Sequence, residues 1–223
     1  MLLKGFAVSF NLNLVASCRR LSVCIALVLA SLIGRSAMAQ ELVIPVVHTG
    51  DEAVSGDNLQ AAMAQAARVN MLTFPQGARV TLTPGIYRIR QRVLPGQVTN
   101  PETDLNSGFA TIQAGDGDAA ARRVAVVGTG ASSSVIRRDP LFPDTIAGVY
   151  RLFTVVNGGS LELSNLSVEN GIADKGGAVR FETGNAGRLT ISGCRFAENK
   201  ATGIGGAVFA KQSGLTGGTT TGV

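Results

Sequence analysis

From Val69 onward, apolar and polar residues alternate in short runs that are separated by Gly, Asn, Ser and Thr. A period of two is the pattern of a β-strand with one buried face, and the separating residues favour tight turns. No helical period interrupts the runs, so they predict an all-β region over residues 69–210. The predicted strands are MLTF, ARVTLT, GIYRI, RRVAVVG, SSVIRR, RLFTVV, SLELSNLSVEN, GGAVRF, RLTISGCRF and GGAVF.

The run SLELSNLSVEN shows the alternation most clearly. Its phase shifts by one residue at Asn165, which predicts a turn between two strands at that point. The residues predicted to point inward on either side of the turn are Leu161, Leu163, Leu166 and Val168.

A different pattern precedes the strands, in residues 40–68. An extended segment, LVIPVV, is followed by SGDNLQAAMAQAAR, in which Asp57 can cap a helix with Gln60 as its capping-box partner. The helix should end near Arg68. Its apolar face is small and Ala-rich, which favours packing against the end of a sheet over a membrane-binding or partner-binding role. That face consists of Leu59, Ala62, Met63 and Ala66.

The first 39 residues are typical of an export signal. An apolar segment, Leu21–Ile33, follows Arg19-Arg20 and precedes Ala37-Met38-Ala39, which predicts cleavage between Ala39 and Gln40. A lipobox-like segment at Val15–Cys18 and a twin-arginine signal are the alternatives. No later segment approaches the length of a transmembrane helix. We therefore expect a chain exported across the inner membrane, without a transmembrane helix after processing.

Composition and charge narrow the function classes. The net charge of +5 includes four basic leader residues, so the processed chain carries 16 basic and 15 acidic residues, a net charge of +1. Such a balance argues against nucleic-acid binding. The 28 Gly residues and the lack of Trp suit many short strands joined by tight turns. Cys194 is the single cysteine after processing, and its position between Gly193 and Arg195 predicts a small buried apolar residue.

An internal repeat identifies the architecture. Residues 160–179, SLELSNLSVENGIADKGGAV, return as residues 188–208, RLTISGCRFAENKATGIGGAV. Leu161 aligns with Leu189 at an offset of 28, which becomes 29 at the GGAV tetrapeptides through an extra residue before Asn199. A period of this length, with about three short strands, predicts one rung of a solenoid in which aligned apolar columns are buried by stacking.

Several residues of the repeat have predicted structural roles. The paired glycines suit turns that require positive φ. Asn170 and Asn199 would occupy equivalent places and stack as an amide ladder along the solenoid axis. The predicted structural positions of the repeat are Gly176, Gly177, Gly205, Gly206, Asn170, Asn199 and Phe196.

These motifs resemble the repeats of the chlamydial polymorphic outer-membrane protein family and of related secreted β-helix proteins. GGAV, at 176–179 and 205–208, matches the family's GGA[IVL] tetrapeptide, and Phe196–Asn199 matches its FxxN motif. The earlier copy, Val168–Asn170, lacks the Phe and one residue. Upstream, GDNLQAAMAQAA, FPQG and TPGIYRI are similar to the N-terminal cap and first coil of pectate-lyase-like β-helices. The resemblance implies a right-handed parallel β-helix with a short N-terminal capping helix.

The residues that could support catalysis are few and scattered. His48 lies in an N-terminal turn, where we expect an exposed and uncommitted side chain. Asp116 and Asp118, spaced D-x-D in a Gly-rich loop, are candidates for a glycoside-hydrolase carboxylate pair or a Ca²⁺ contact, against a solvated loop tip. Arg137-Arg138 is the nearest match to the basic residue of a polysaccharide lyase.

A second arginine pattern suggests binding instead of catalysis. Arg88, Arg90 and Arg92 alternate along one predicted strand face, which could bind an acidic glycan or could be solvated. No catalytic, metal or cofactor site emerges. The expected function is therefore a surface-associated or secreted β-helix, adhesin-like or structural, whose partner is a glycan or surface protein. The alternative is a polysaccharide-acting enzyme or a fragment of one.

Residues 211–223 form a Gly/Thr-rich tail without a recognisable capping element. This pattern is typical of a truncated product. An uncapped final rung would expose strand edges and predicts self-association.

Overall fold

The computed structural model describes residues 40–90, 107–114, 122–139, 150–184 and 187–212, together with the backbone of residues 221–222. Residues 40–223 form one compact unit. The described ranges are mostly β-strand with one helix, α1 (Glu52–Ala66). The strands are β1 (Leu42–Val46), β2 (Ala78–Leu82), β3 (Gly85–Ile89), β4 (Arg123–Val127), β5 (Ser134–Arg138), β6 (Phe153–Val156), β7 (Ser160–Ser164), β8 (Ser167–Glu169), β9 (Ile172–Lys175), β10 (Val179–Thr183), β11 (Leu189–Ser192), β12 (Arg195–Ala197), β13 (Lys200–Ile204), β14 (Val208–Gln212) and β15 (Thr221–Gly222).

The strands form parallel sheets that the chain visits repeatedly in the same order. Sheet 1 is β1-β2-β4-β7-β11, sheet 2 is β3-β5-β8-β12, sheet 3 is β6-β10-β14-β15, and sheet 4 is β9-β13. Every pairing is parallel except that of β14 with β15. The last two passes each contribute four strands, one more than the sequence predicts, because β9 and β13 lack clear alternation. The all-β, parallel-strand prediction is confirmed.

The register aligns apolar side chains from pass to pass. Val80 pairs with Val126, which pairs with Leu163, and all three are fully buried in sheet 1. In sheet 2, the buried Tyr87 and Ile136 are register neighbours. The four inward positions predicted around Asn165 are buried to 1% exposure or less, and Asn165 itself has φ 54 in the turn. Stacked columns of this kind form one continuous core.

The pairing confirms the repeat alignment but moves its extra residue. Leu161 pairs with Leu189 and Val179 with Val208, as predicted. The offset changes within β13, where the register shifts between Ala201 and Ile204. The prediction that the extra residue precedes Asn199 is therefore wrong. The register shift within β13 accommodates this residue without disturbing the strand pairs before and after it.

This correction also removes the predicted amide ladder. Glu198, with φ 56, takes the place of Asn170, with φ 63, so Asn170 and Asn199 are not equivalent. Asn199 instead binds the previous pass. Its Nδ2 donates to the carbonyl of Val168 at 2.8 Å, and its Oδ1 accepts from Gly171 N at 2.9 Å. The asparagine of the FxxN motif is thus a clamp between neighbouring passes.

The first glycine of each GGAV tetrapeptide has the predicted positive φ, +58 at Gly176 and +70 at Gly205. The second glycine of the first copy is required for a different reason. A Cβ on Gly177 would lie 2.5 Å from the carbonyl oxygen of Lys200 in the next pass. Gly206 has no such close neighbour.

The helix starts earlier than the sequence predicts. Asp51, not Asp57, is the N-cap, and its Oδ1 accepts from the backbone N–H groups of Ala53 and Val54 at 2.8 and 3.0 Å. Gln60 is no capping partner, since its Nε2 donates to the carbonyls of Arg90 and Gly108. Gly56 therefore lies within the helix, where it allows close approach to the sheet.

The predicted packing of the helix against the end of a sheet is confirmed. A Cβ on Gly56 would lie 1.9 Å from the carbonyl oxygen of Arg88, so α1 sits directly against β3. The predicted apolar face is buried, with Leu59 and Met63 at 0% exposure. The segment MLTF, by contrast, is a turn: Asn70 accepts from the backbone of Leu72, whose side chain is 91% exposed.

The expectation of an uncapped final rung needs correction at one strand. β15 pairs antiparallel with β14, joining Phe209 to Gly222 and Ala210 to Thr221. For β11, β12 and β13, no strand beyond the preceding pass pairs with them in the part of the chain that the structure describes. Self-association through these edges stays a prediction.

We expect Leu163→Ala to lower the free energy of unfolding by about 2–5 kcal/mol, because it leaves a cavity in a fully buried column. Ile191→Ala is the matched control, since Ile191 is the register partner of Leu163 and is 39% exposed. Urea unfolding followed by circular dichroism measures both losses. Equal losses would contradict the buried column.

The cap of α1 should contribute to acid sensitivity. The backbone N–H groups of Val54 and Ala53 lower the pKa of Asp51. A carboxyl group with a lowered pKa in the folded state stabilises the fold above its unfolded-state pKa, and this contribution is lost as the pH falls through the folded-state value. Asp51→Asn should therefore flatten the acid limb of a Tm-versus-pH profile. Asp57→Asn, which lies within the helix and leaves the N-cap intact, is the matched control.

Candidate functional site

A charged groove crosses the outer face of sheet 1. It has a volume of about 510 Å³, and we call it the sheet 1 groove. It combines three arginines and two glutamates with small side chains. Its lining residues are Glu41, Gln76, Ala78, Arg79, Arg123, Val124, Ala125, Ser160, Leu161, Glu162, Arg188 and Thr190.

The groove arises from the register of the outward-facing residues. Arg79, Ala125, Glu162 and Thr190 form one row across β2, β4, β7 and β11. Arg123 pairs with Ser160 in the neighbouring row. Long and short side chains alternate along both rows, so Ala125 and Ser160 form depressions between longer neighbours.

One arginine of the groove is neutralised locally. Arg79 Nε donates to Glu41 Oε2 at 2.8 Å. The hydrogen bond to Glu41 raises the pKa of Arg79, partial burial opposes this shift, and the charge of Glu162 adds to it. Arg79 is therefore held as a cation on the groove floor, and it cannot serve as a proton acceptor.

The other two arginines face solvent. Arg123 and Arg188 are exposed, and neither guanidinium forms an ion pair or hydrogen bond with another residue in the described ranges. Arg123 lies in β4 and Arg188 directly precedes β11, two strands away. Because neighbouring strands are about 4.8 Å apart, the two backbone positions lie roughly 10 Å apart. Guanidinium groups bind carboxylates and sulfates through paired N–H donors, so this face can hold an anionic ligand at two points.

No pattern in the sequence predicts that these five charged residues lie together. The members of the row are separated by 46, 37 and 28 positions, from Arg79 to Ala125 to Glu162 to Thr190. Unequal intervals produce no visible period, and only the observed pairing brings the residues together.

The proposed lyase-like basic pair has structural roles. Arg137 binds Glu169 Oε2 through Nε and Nη2 at 3.1 and 2.8 Å, and Arg195 binds the other carboxylate oxygen at 2.9 Å. Arg138 is buried, and its Nε donates to the carbonyl of Asn170 at 2.7 Å, while its guanidinium lies 5.7 Å from the ring centre of Tyr150. Both side chains are committed to joining neighbouring passes.

The alternating arginines of the third strand also meet acidic partners. Arg88 binds Glu52 Oε2 at 2.6 Å, and Arg90 Nε lies 3.8 Å from Asp139 Oδ2. Arg92 lies outside the described residues. Sheet 2 therefore presents arginines that are largely neutralised, in contrast to the sheet 1 groove.

His48 is neither exposed nor uncommitted, so that prediction is wrong. Its Nδ1 accepts from Gly50 N at 3.1 Å, and its Nε2 lies 3.1 Å from the carbonyl oxygen of Ile86. The ring packs edge-on against Tyr87. Nδ1 must be unprotonated to accept, so Nε2 carries the proton, and His48 joins the first turn to β3.

The other residues singled out in the sequence are two aspartates, the predicted cleavage site and one cysteine. Asp116 and Asp118 lie outside the described residues, as do Ala39 and the rest of the predicted leader. Cys194 is partly buried beside the core, and burial raises the pKa of its thiol, which makes it a poor nucleophile.

The described residues contain no group of three or more His, Cys, Asp or Glu side chains arranged to hold a metal ion. No helix among them combines the length and the apolar character needed to cross a membrane. The chain matches no protein-family model, no curated protein and no solved structure.

Proposed function

We propose that this chain is an exported right-handed parallel β-helix that acts as an adhesin-like or structural passenger, and that the sheet 1 groove binds acidic glycans. The observation that carries the binding role is the pair of exposed arginines, Arg123 and Arg188, beside the neutralised Arg79.

The β-helix proposal is supported by the order of strands. The strands of each parallel sheet follow in chain order, and the passes that begin with β4, β7 and β11 each go from sheet 1 to sheet 2 and on to sheet 3. Isolated parallel bridges, Ser107 to Arg151 and Ile112 to Val155, extend sheet 3 toward the preceding pass. Crossovers between parallel strands of one sheet are right-handed in about 98% of cases, which favours the right-handed form.

Export and location at the cell surface, or release into the medium, are proposed from the leader. Its arginines, apolar segment and Ala37-Met38-Ala39 suit secretion. The resemblance to surface β-helix repeats supports the same location.

An acidic glycan suits the groove better than a nucleic acid or a neutral sugar. The processed chain has a net charge of only +1, and the groove combines three arginines with two glutamates, so its binding role rests on the two exposed arginines and not on a broad basic surface. A flexible acidic polysaccharide carries many carboxylates or sulfates and could meet Arg123 and Arg188 with two of them. Such contacts are weak singly, are strengthened by multivalency, and are screened by salt.

Binding to immobilised polyuronate or sulfated polysaccharide tests the proposal. Arg123→Ala and Arg188→Ala should each weaken binding about fivefold, the effect of losing roughly 1 kcal/mol per exposed charged contact. Arg195→Ala is the matched control, because this arginine is 63% exposed but lies on sheet 2, paired with Glu169. Surface plasmon resonance at two salt concentrations measures the changes. Equal loss from all three variants would reject the groove as the site.

The open groove also favours one second candidate, a polyuronide lyase or hydrolase. We expect no turnover, because Glu41 is held in an ion pair with Arg79, and Glu162 alone does not supply the two carboxyl groups that glycoside hydrolysis requires. Incubation with polyuronides, with and without Ca²⁺, followed by the absorbance of unsaturated products and by a reducing-end assay, measures this. Turnover that disappears in Arg123→Ala would replace the binding role with catalysis.

A further inference from the structure

Two Asn-Gly pairs lie in the described chain, and the fold treats them differently. They are Asn157-Gly158, between β6 and β7, and Asn170-Gly171, between β8 and β9. An asparagine followed by glycine is the pair most prone to lose its side-chain amide, because glycine has no side chain to hinder attack by its own backbone nitrogen. The surroundings of that nitrogen decide whether the attack occurs.

The first pair combines an exposed asparagine with a buried glycine. Asn157 has φ 47 and Gly158 has φ 82. Gly159 N donates to the carbonyl of Val156 at 2.9 Å and closes the turn around them. Within the described ranges, the N–H of Gly158 has no hydrogen-bond acceptor. The attacking nitrogen is therefore not held by any observed bond.

The second pair is restrained on several sides. Gly171 N donates to Asn199 Oδ1 at 2.9 Å, and a Cβ on Gly171 would lie 2.0 Å from the carbonyl oxygen of Gly177. The backbone of Asn170 is fixed by its own N–H, which donates to Ala197, and by its carbonyl, which accepts from Arg138. A rotation that brings Gly171 N to the side chain of Asn170 therefore requires breaking contacts with both the preceding and the following pass.

We propose that Asn157 is a site of spontaneous modification, and that Asn170 is protected from the same reaction by the clamp of Asn199. Gly158 N attacks Cγ of Asn157, a C–N bond forms, and the side-chain nitrogen leaves as ammonia with the proton from Gly158. Water then opens the resulting succinimide at either carbonyl, giving an aspartyl or an isoaspartyl residue.

The product changes the turn that leads into β7. Each outcome adds a carboxylate three residues before Ser160, and the isoaspartyl form also adds a methylene to the backbone. The carbonyl of Asn157 accepts from Ala114 N at 3.1 Å, so the altered backbone would disturb a contact with the preceding pass. This inference is independent of the proposed glycan binding.

The test is ageing of the folded full chain in mildly alkaline buffer, followed by peptide mapping with mass spectrometry and by isoaspartyl methyltransferase labelling. We expect Asn157 to convert at least about tenfold faster than Asn170, which corresponds to about 1.4 kcal/mol in activation free energy. In chain unfolded by urea, the two sites should convert at similar rates, because both precede glycine.

Asn199→Ala is the decisive variant. It removes the acceptor of Gly171 N and should raise the rate at Asn170 while leaving that at Asn157 unchanged. If Asn170 converts as fast as Asn157 in the folded protein, or if the difference persists in urea, the proposal is wrong. A rate at Asn170 that does not respond to Asn199→Ala would also remove the protective role of the clamp.

Discussion

Parallel pairing of each strand with the equivalent strand of the next pass is the constraint on which the other features depend. It requires the inward residue of every pass to lie above that of the one before, as Val80, Val126 and Leu163 do. It satisfies the backbone polar groups of interior strands at the same time, so packing and hydrogen bonding cannot be varied separately. The outward residues inherit this alignment, and the sheet 1 groove exists because of it.

The charged side chains on the outer faces of sheet 1 and sheet 2 follow different physical rules. On sheet 2, Glu169 lies between Arg137 and Arg195, and its side chain is only 11% exposed, so leaving its carboxylate unpaired would be costly. On sheet 1, the exposed arginines need no partner because water screens them. The first arrangement joins neighbouring passes, and the second leaves donors available to a ligand.

Sequence reasoning succeeded where a local pattern has a single physical meaning. Alternation around Asn165 identified both strands and the turn, and the repeat identified the pairing of Leu161 with Leu189. It failed where two interpretations compete locally. Asp51 and Asp57 can each cap a helix, and Asn199 matches Asn170 in residue type but Gly171 in strand register. The sheet 1 groove could not be predicted from the sequence, because its residues come from unequally spaced segments.

The bulge in β13 has an evolutionary consequence. It absorbs one residue between Ala201 and Ile204, and β14 nevertheless resumes the alignment of β10. A chain organised in this way can gain or lose residues at its corners without altering the columns that stabilise it. The spacing between strands can therefore differ by a residue from one pass to the next while the register of the buried columns stays the same.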